Sequence, residues 1–289
     1  MAQNAVTSTA LANHELIDVA VLETVDLALL ATRESTEIEK LLRAAQYPGL
    51  FYLDLRNDPS AMQLLADLPG VYSVSEKYFD QPHQLKVSDY REGQKPSQDR
   101  GYKTSDCDET FEMAYDEIVK GRTPLPGVLG DNADMLRKFS ELSHSACLTM
   151  LSCLSDSLGL DKNDRLEKHH RQTESSDSGL KLIYEPSLAS KGQVGDNKHT
   201  DSGTFTLLFY DQWGLHAELP EAKKWAFTAP VPGCALINVA NSLQRLSGNR
   251  LHSPLHRVTQ PVDGFAKRYY ISYFLRPEHN LQEMWAQAG

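Results

Sequence analysis

The 289 residues predict an α+β protein whose core is a double-stranded β-helix, or jelly roll, buttressed by helices. Three observations carry that expectation. Between Asp131 and Leu158, apolar residues including Met135, Leu136, Phe139, Leu142, Ala146, Met150, Leu151 and Leu154 recur at spacings of three and four, the mark of a long amphipathic helix. From Leu180 the pattern changes to short apolar runs parted by Gly, Pro and Asn: LKLIYEP, TFTLLFY, GLHAEL, KWAFTAP, CALINVA, SPLHRVTQ and RYYISYFL. His199 and Asp201 stand two residues apart at the start of one such run, and in a strand i and i+2 share a face, so an imidazole and a carboxylate converge there. The chain reads as a single domain over 1–289, with no internal repeat. Within it lie an N-terminal helical and strand region with a lid (1–130), a backbone helix (131–158) and the jelly-roll core (180–277).

Taken in order, the first dozen residues are small and polar and are expected to lack order. Leu16 to Leu30 is dense enough in apolar residues for a short strand and turn. STEIEKLLRAAQ then makes a helix that Ser35 or Thr36 can cap, carrying Ile38, Leu41 and Leu42 inward. PGLFYLDL is a strand after a Pro-Gly turn. Pro59 to Phe79 is helical, with Leu68-Pro69-Gly70 expected to break or bend it. Between Gln81 and Thr110 the chain turns polar over a length that marks either a functional lid or a surface loop. Gly159 stops the long helix, and His169-His170 beyond it fall in a polar stretch, where adjacent positions point apart and solvated side chains are expected.

Composition narrows the function. A hydrophobic content of 40% at this length fills a sizeable core, and a formal charge of −10 without a Lys/Arg cluster argues against nucleic acid or an acidic membrane as partner. There is no apolar run of membrane-spanning length, and the N-terminal residues lack the basic start and apolar middle of a secretory signal; the expected location is cytoplasmic. Cys107, Cys147, Cys153 and Cys234 are too few and scattered for a disulfide framework and read as free thiols. The composition leaves the oligomeric state open.

The chemistry-bearing residues are His199 and Asp201, with His256 in SPLHRVTQ as the third ligand brought alongside by the fold. Two histidines and one carboxylate on one face leave three coordination positions open, the arrangement of non-haem Fe(II) sites that activate O2. His216 and His252 are the competing histidines.

From His199 the blocks HTDSGTFTLLF, PVPGCALINVANSLQRLSGNRLHSPLHRV and KRYYISYFLRP follow in an order that resembles the 2-oxoglutarate and Fe(II)-dependent dioxygenase superfamily of the isopenicillin N synthase-like type. The resemblance is close from Leu180 to Pro277 and looser over most of the chain. It implies Fe(II) on His199, Asp201 and His256, with 2-oxoglutarate and O2 as cosubstrates. It also implies oxidative decarboxylation to succinate and CO2, coupled to C–H oxidation of a small organic substrate such as a secondary metabolite. In that family an arginine at the position of Arg268 binds the distal carboxylate of 2-oxoglutarate. Three departures stand out: Arg-x-Ser is Arg268-Tyr269-Tyr270, so the hydroxyl moves onto a larger ring; Asn-Tyr-Tyr-Pro is Ile183-Tyr184-Glu185-Pro186, leaving Tyr184 as the matching phenol; and Gly-Asp is Ala240-Asn241. Arg268, Tyr184 and Tyr270 are therefore the expected cosubstrate contacts. The alternatives are an oxidase that needs no 2-oxoglutarate and a jelly-roll binding protein without turnover.

Overall fold

The computed structural model describes residues 6–11, 14–94, 98–121, 123–187, 197–219, 224–261 and 263–288. Its elements, in chain order, are β1 (Val6–Ala10), β2 (Leu16–Ala20), β3 (Thr24–Asp26), α1 (Leu27–Ala31), α2 (Ser35–Gln46), β4 (Leu50–Asp54), α3 (Pro59–Phe79), α4 (His83–Val87), β5 (Gly101–Thr104) and β6 (Glu109–Ala114). There follow α5 (Tyr115–Val119), α6 (Gly127–Asp131), α7 (Ala133–Ser157), β7 (Gly179–Pro186), β8 (Phe205–Phe209), β9 (Leu215–Leu219), β10 (Lys224–Phe227), β11 (Cys234–Val239), α8 (Asn241–Leu246), β12 (His256–Val258), β13 (Lys267–Leu275) and α9 (His279–Ala288). The strands form two sheets, one of five in the order β1-β2-β10-β9-β12 and one of eight in the order β3-β4-β11-β8-β13-β7-β6-β5.

Strand alternation in the larger sheet divides the protein into two layers. Phe205, Leu207 and Phe209 of β8, Ala235, Ile237 and Val239 of β11, Leu180 and Leu182 of β7, and Ile271, Tyr273 and Leu275 of β13 all join one core with α7. That helix runs the length of the layer, burying Leu136, Phe139, Ala146, Cys147, Met150, Leu151 and Leu154. The opposite positions, among them Leu208, Leu236 and Tyr270, face the five-stranded sheet and pack with Leu215 and Ala217 of β9. With residues i and i+2 sharing a face, the helix side is apolar and the inter-sheet side is free to carry polar groups.

Several expectations are corrected. Val6–Ala10, expected without order, is a strand whose five residues pair with β2, so backbone pairing to a neighbour orders a polar segment with no hydrophobic pattern of its own. Met1 to Ala5 and Ala12 lie outside the described residues. Helix α3 continues through Pro69, which sits on its exposed side, where solvent can satisfy the carbonyl one turn back. No side chain of Ser35 or Thr36 caps α2: the N-cap is Glu34, and both residues lie inside the helix. The polar stretch after Gln81 is largely structured. It holds α4 and β5, with the Tyr78 hydroxyl donating to Asp89 at 2.8 Å and Lys86 paired with Glu109. Lys95, Pro96 and Ser97 lie outside the described residues. His170 is not solvated: it is 1% exposed, its ring nitrogens meet the Leu166 carbonyl and Thr204 Oγ1, and burial lowers its pKa to about 3. All four cysteines are free.

Candidate metal centre and its cavity

His256 opens β12, and His199, just before β8, forms an antiparallel bridge with it, each backbone N–H reaching the other's carbonyl at 2.9 Å. That reciprocal pair sets the two imidazoles side by side, with ring centroids 4.4 Å apart and planes tilted by 59°. Asp201 follows two residues on, where its backbone carbonyl accepts from Asn241 N–H at the start of α8. One ligand atom from each of His199, Asp201 and His256 lies within 4.8 Å of the other two. Asp201 Oδ1 is 3.8 Å from His199 Nε2 and 3.6 Å from His256 Nε2.

The surroundings orient each donor. His199 Nδ1 meets the Asn197 carbonyl at 2.8 Å and His256 Nδ1 the Pro254 carbonyl at 3.2 Å. With the Nδ1 proton donated to a carbonyl, each Nε2 carries the lone pair and points at the gap. Burial holds His256 below the ordinary histidine value, against the pull of Asp201, and so keeps that ring neutral as a ligand must be. Asp201 Oδ2 accepts from the Thr206 hydroxyl at 2.6 Å and from Asn238 Nδ2 at 3.2 Å, which turns Oδ1 toward the histidines. Two oriented imidazoles and one oriented carboxylate fit a divalent transition metal with one open face.

The three side chains open into a cavity of about 100 Å³ between the sheets. Ile183, Leu208, Leu215 and Phe274 supply its apolar walls, and Tyr270, Ser272 and Glu185 its polar ones. Tyr270 Oη is buried without a hydrogen-bond partner among the described residues. It lies against Gly214, where a Cβ would fall 1.9 Å from it, and beside the Glu185 carboxyl. An orphaned hydroxyl at the wall of a cavity beside a metal site fits an oxygen-rich cosubstrate such as 2-oxoglutarate.

Arg268 shares the inward face of β13 with Tyr270 but does not line this cavity. It is 1% exposed; Nε donates to the Trp213 carbonyl at 3.0 Å, Nη1 to Gln260 Oε1 at 2.8 Å, and Nη2 is paired with Asp263. Tyr184 is turned away from the site, contrary to the sequence expectation. Alternation along β7 puts Lys181, Ile183 and Glu185 toward the cavities and Tyr184 in the helix layer, where its ring stacks on Phe79 at 5.9 Å and lies 5.3 Å from Tyr269.

Glu185 is the residue the sequence reading missed. It is 4% exposed and is the direct cross-strand partner of Arg268. Burial pushes its carboxyl up to about 7, against a hydrogen bond from Gln260. The signal was present: Leu180 and Leu182 take the helix side, so period two assigns Tyr184 to them and Glu185 to the cavity. Of the competing histidines, His216 is held between the Phe227 ring at 4.6 Å and Arg257, and His252 lies before β12 with its backbone N–H on the Ala45 carbonyl. Neither reaches the three donors.

Residues 175–277 match the family model of the 2OG-Fe(II) oxygenase superfamily. The 2-oxoglutarate-dependent dioxygenase frbH of Dothideomycetidae sp. (strain 11243) is 36% identical over 93% of this chain and 86% of its own length. The 2-oxoglutarate-dependent dioxygenase FG08081 of Gibberella zeae is 33% identical over 94% and 84%. Among solved structures, Neurospora crassa T7H in complex with alpha-KG and 5-formyluracil superposes with a TM-score of 0.75 at 24% identity, covering 96% of this chain and 89% of that one. The 2-oxoglutarate complex of AtDAO1, the dioxygenase for auxin oxidation 1 of Arabidopsis thaliana, gives 0.72 at 19%, covering 90% and 94%. These two likenesses show the jelly-roll fold.

Proposed function

The chain belongs to the 2OG-Fe(II) oxygenase superfamily, and from that premise we propose that His199, Asp201 and His256 hold the iron of a dioxygenase that oxidises a C–H bond of a small secondary metabolite. As a 2-oxoglutarate-dependent dioxygenase it couples that oxidation to the decarboxylation of 2-oxoglutarate to succinate and CO2. Iron, when bound, supplies the O2-activating centre. What the chain supplies is orientation and exclusion of water.

The Asn197 and Pro254 carbonyls fix both imidazole tautomers, and Thr206 with Asn238 fixes the carboxylate, so the donor set is arranged before the metal arrives. Ile183, Leu208, Leu215 and Phe274 keep the surrounding cavity apolar, which strengthens every charge interaction inside it. Tyr270 offers its unpartnered hydroxyl to the cosubstrate, the role the sequence assigned it, and Arg268 behind it is the buried cation for the distal carboxylate. In this role Arg268 exchanges Asp263 for the incoming carboxylate, charge for charge, and a planar guanidinium suits a bidentate grip.

The observation that carries the reading is the convergence of two histidines and a carboxylate within 4.8 Å, each held by a further contact. Iron content measured by mass spectrometry tests it. His199→Ala, Asp201→Ala and His256→Ala should each fall to background after Fe(II) loading and desalting, with circular dichroism unchanged. A variant that kept a full equivalent of iron would remove that residue from the ligand set.

A further inference from the structure

Asp201 and Thr206 both line the metal cavity, and between them the chain bends over residues 202–204 before β8 begins. Period two would place Thr204 on the cavity side with Thr206. Thr204 is fully buried and absent from the cavity wall; its hydroxyl lies instead 2.6 Å from Nε2 of His170, whose own backbone carbonyl meets His144 of α7 at 2.9 Å. The bend thus turns one side chain from the metal side to the helix side, and His170 is what receives it there.

His170 is built to do so. Its Nδ1 stands 2.9 Å from the Leu166 carbonyl, which only accepts, so Nδ1 carries the proton and Nε2 accepts from the Thr204 hydroxyl. The residue is itself held: His144 Nε2 donates to its carbonyl, and His144 Nδ1 accepts from the buried Tyr273 hydroxyl of β13 at 2.8 Å. An unbroken series of buried hydrogen bonds therefore runs from β13 and α7 through His170 to the turn that follows Asp201. An apolar side chain would fill the same space without the desolvation of an imidazole, so the polar choice costs stability that packing alone does not require.

We propose that His170 is a positioning residue of the metal centre: by holding the Thr204 hydroxyl on the helix side, it fixes the bend that aims Asp201 at His199 and His256 before any metal binds. The other holds on this turn are backbone bonds. Asn241 and Ser242, at the start of α8, donate to the Asp201 and Gly203 carbonyls at 2.8 Å each, and Thr204 N–H donates to the Leu275 carbonyl at 2.7 Å. His170 adds the side-chain hold, from the helix layer. The consequence for metal binding rests on the metal-centre reading, whereas the hold on the turn does not.

Replacements that separate the two ring nitrogens test this. Asparagine places its amide nitrogen near the position of Nδ1, keeping Leu166 but falling short of Thr204; glutamine carries its oxygen out to the position of Nε2 and keeps Thr204. Thr204→Val deletes the same bond from the other side with little change of shape. Amide hydrogen exchange over residues 201–206 is measured on the metal-free full chain. Co(II) affinity and visible absorption, which reports coordination geometry, are measured on variants shown to be folded by circular dichroism. His170→Asn and Thr204→Val should each speed exchange at Gly203 and Thr204, shift the visible bands and weaken Co(II) by about tenfold, the low end for groups that support a ligand. His170→Gln should track the wild type, and the double variant His170→Asn/Thr204→Val should be no weaker than either single one, because both delete one interaction. Unchanged exchange and Co(II) affinity in His170→Asn and Thr204→Val, glutamine as poor as asparagine, or losses that add in the double variant would overturn the proposal. So would reduced stability to urea with Co(II) affinity and spectrum intact, the mark of a purely structural histidine. A wild type that took up no Co(II) would strike the metal-centre reading, and the exchange rates would still decide whether His170 holds the turn.

Discussion

Replacing Glu185 with glutamine should remove a pH dependence from the stability of the metal-free protein. The carboxyl is 4% exposed and faces Gln260, Tyr270, Arg268 and Asp108, and burial carries it from the ordinary glutamate value of 4.5 to about 7. A group with a raised folded pKa binds its proton more tightly when folded. Its contribution is therefore fully present below about pH 4.5 and is lost as the pH climbs to about 7. A shift of that size corresponds to about 3 kcal/mol between the two limits. Glutamine keeps the shape and carries no titrating proton, so Glu185→Gln should match the wild type at about pH 4 and exceed it by about 3 kcal/mol at about pH 8. Urea unfolding across that range, with 2-oxoglutarate and iron absent, measures the difference. Parallel stability curves for the two proteins would refute the reasoning, since Glu185 would then be ionised at its ordinary pKa in the folded state.

Other perturbations read other parts of the site. Gly214→Ala places a Cβ 1.9 Å from Tyr270 Oη and should destabilise by about 1–3 kcal/mol, and adding Tyr270→Ser should recover most of that; additive effects in a double-mutant cycle would deny the contact. Arg268→Ala should weaken 2-oxoglutarate by about 2–5 kcal/mol in an equilibrium titration, and normal affinity would remove Arg268 from the cosubstrate site. His216→Ala should retain its iron, because that ring packs on Phe227 away from the donors; iron loss there would question which histidines bind.

How much of this was legible in the sequence depends on what each signal reports. The long α7 periodicity and the apolar runs of β7, β8, β11 and β13 come from burial of one face, and burial leaves a regular mark. His199, Asp201 and His256 were legible by spacing and by the order of the blocks around them, and the fold brings them together through a backbone bridge. Tyr184 misled because a strand buried on both faces does not announce which side is which; the choice between Tyr184 and Glu185 rested on residue type rather than on alternation with Leu180 and Leu182. β1 was missed because its stability comes from pairing with β2, which a single segment cannot display. His170 was missed because its partners, Leu166 O and Thr204, meet only once the chain has folded. Asp263 on Arg268 belongs to the same class, since a loop acid gives no hint of the cation it will reach.

If His199, Asp201 and His256 hold the metal as proposed, 2-oxoglutarate decarboxylation depends on all three. Its most direct measurement is succinate formed from 2-oxoglutarate by the purified protein in air, with Fe(II) present or chelated, for the wild type and for Asp201→Ala. Wild-type protein should form succinate in a reaction that depends on Fe(II), and Asp201→Ala should fall to the chelated background. Succinate formation that persisted in Asp201→Ala, or a wild type saturated with Fe(II) that consumed no 2-oxoglutarate with or without a substrate extract, would contradict it.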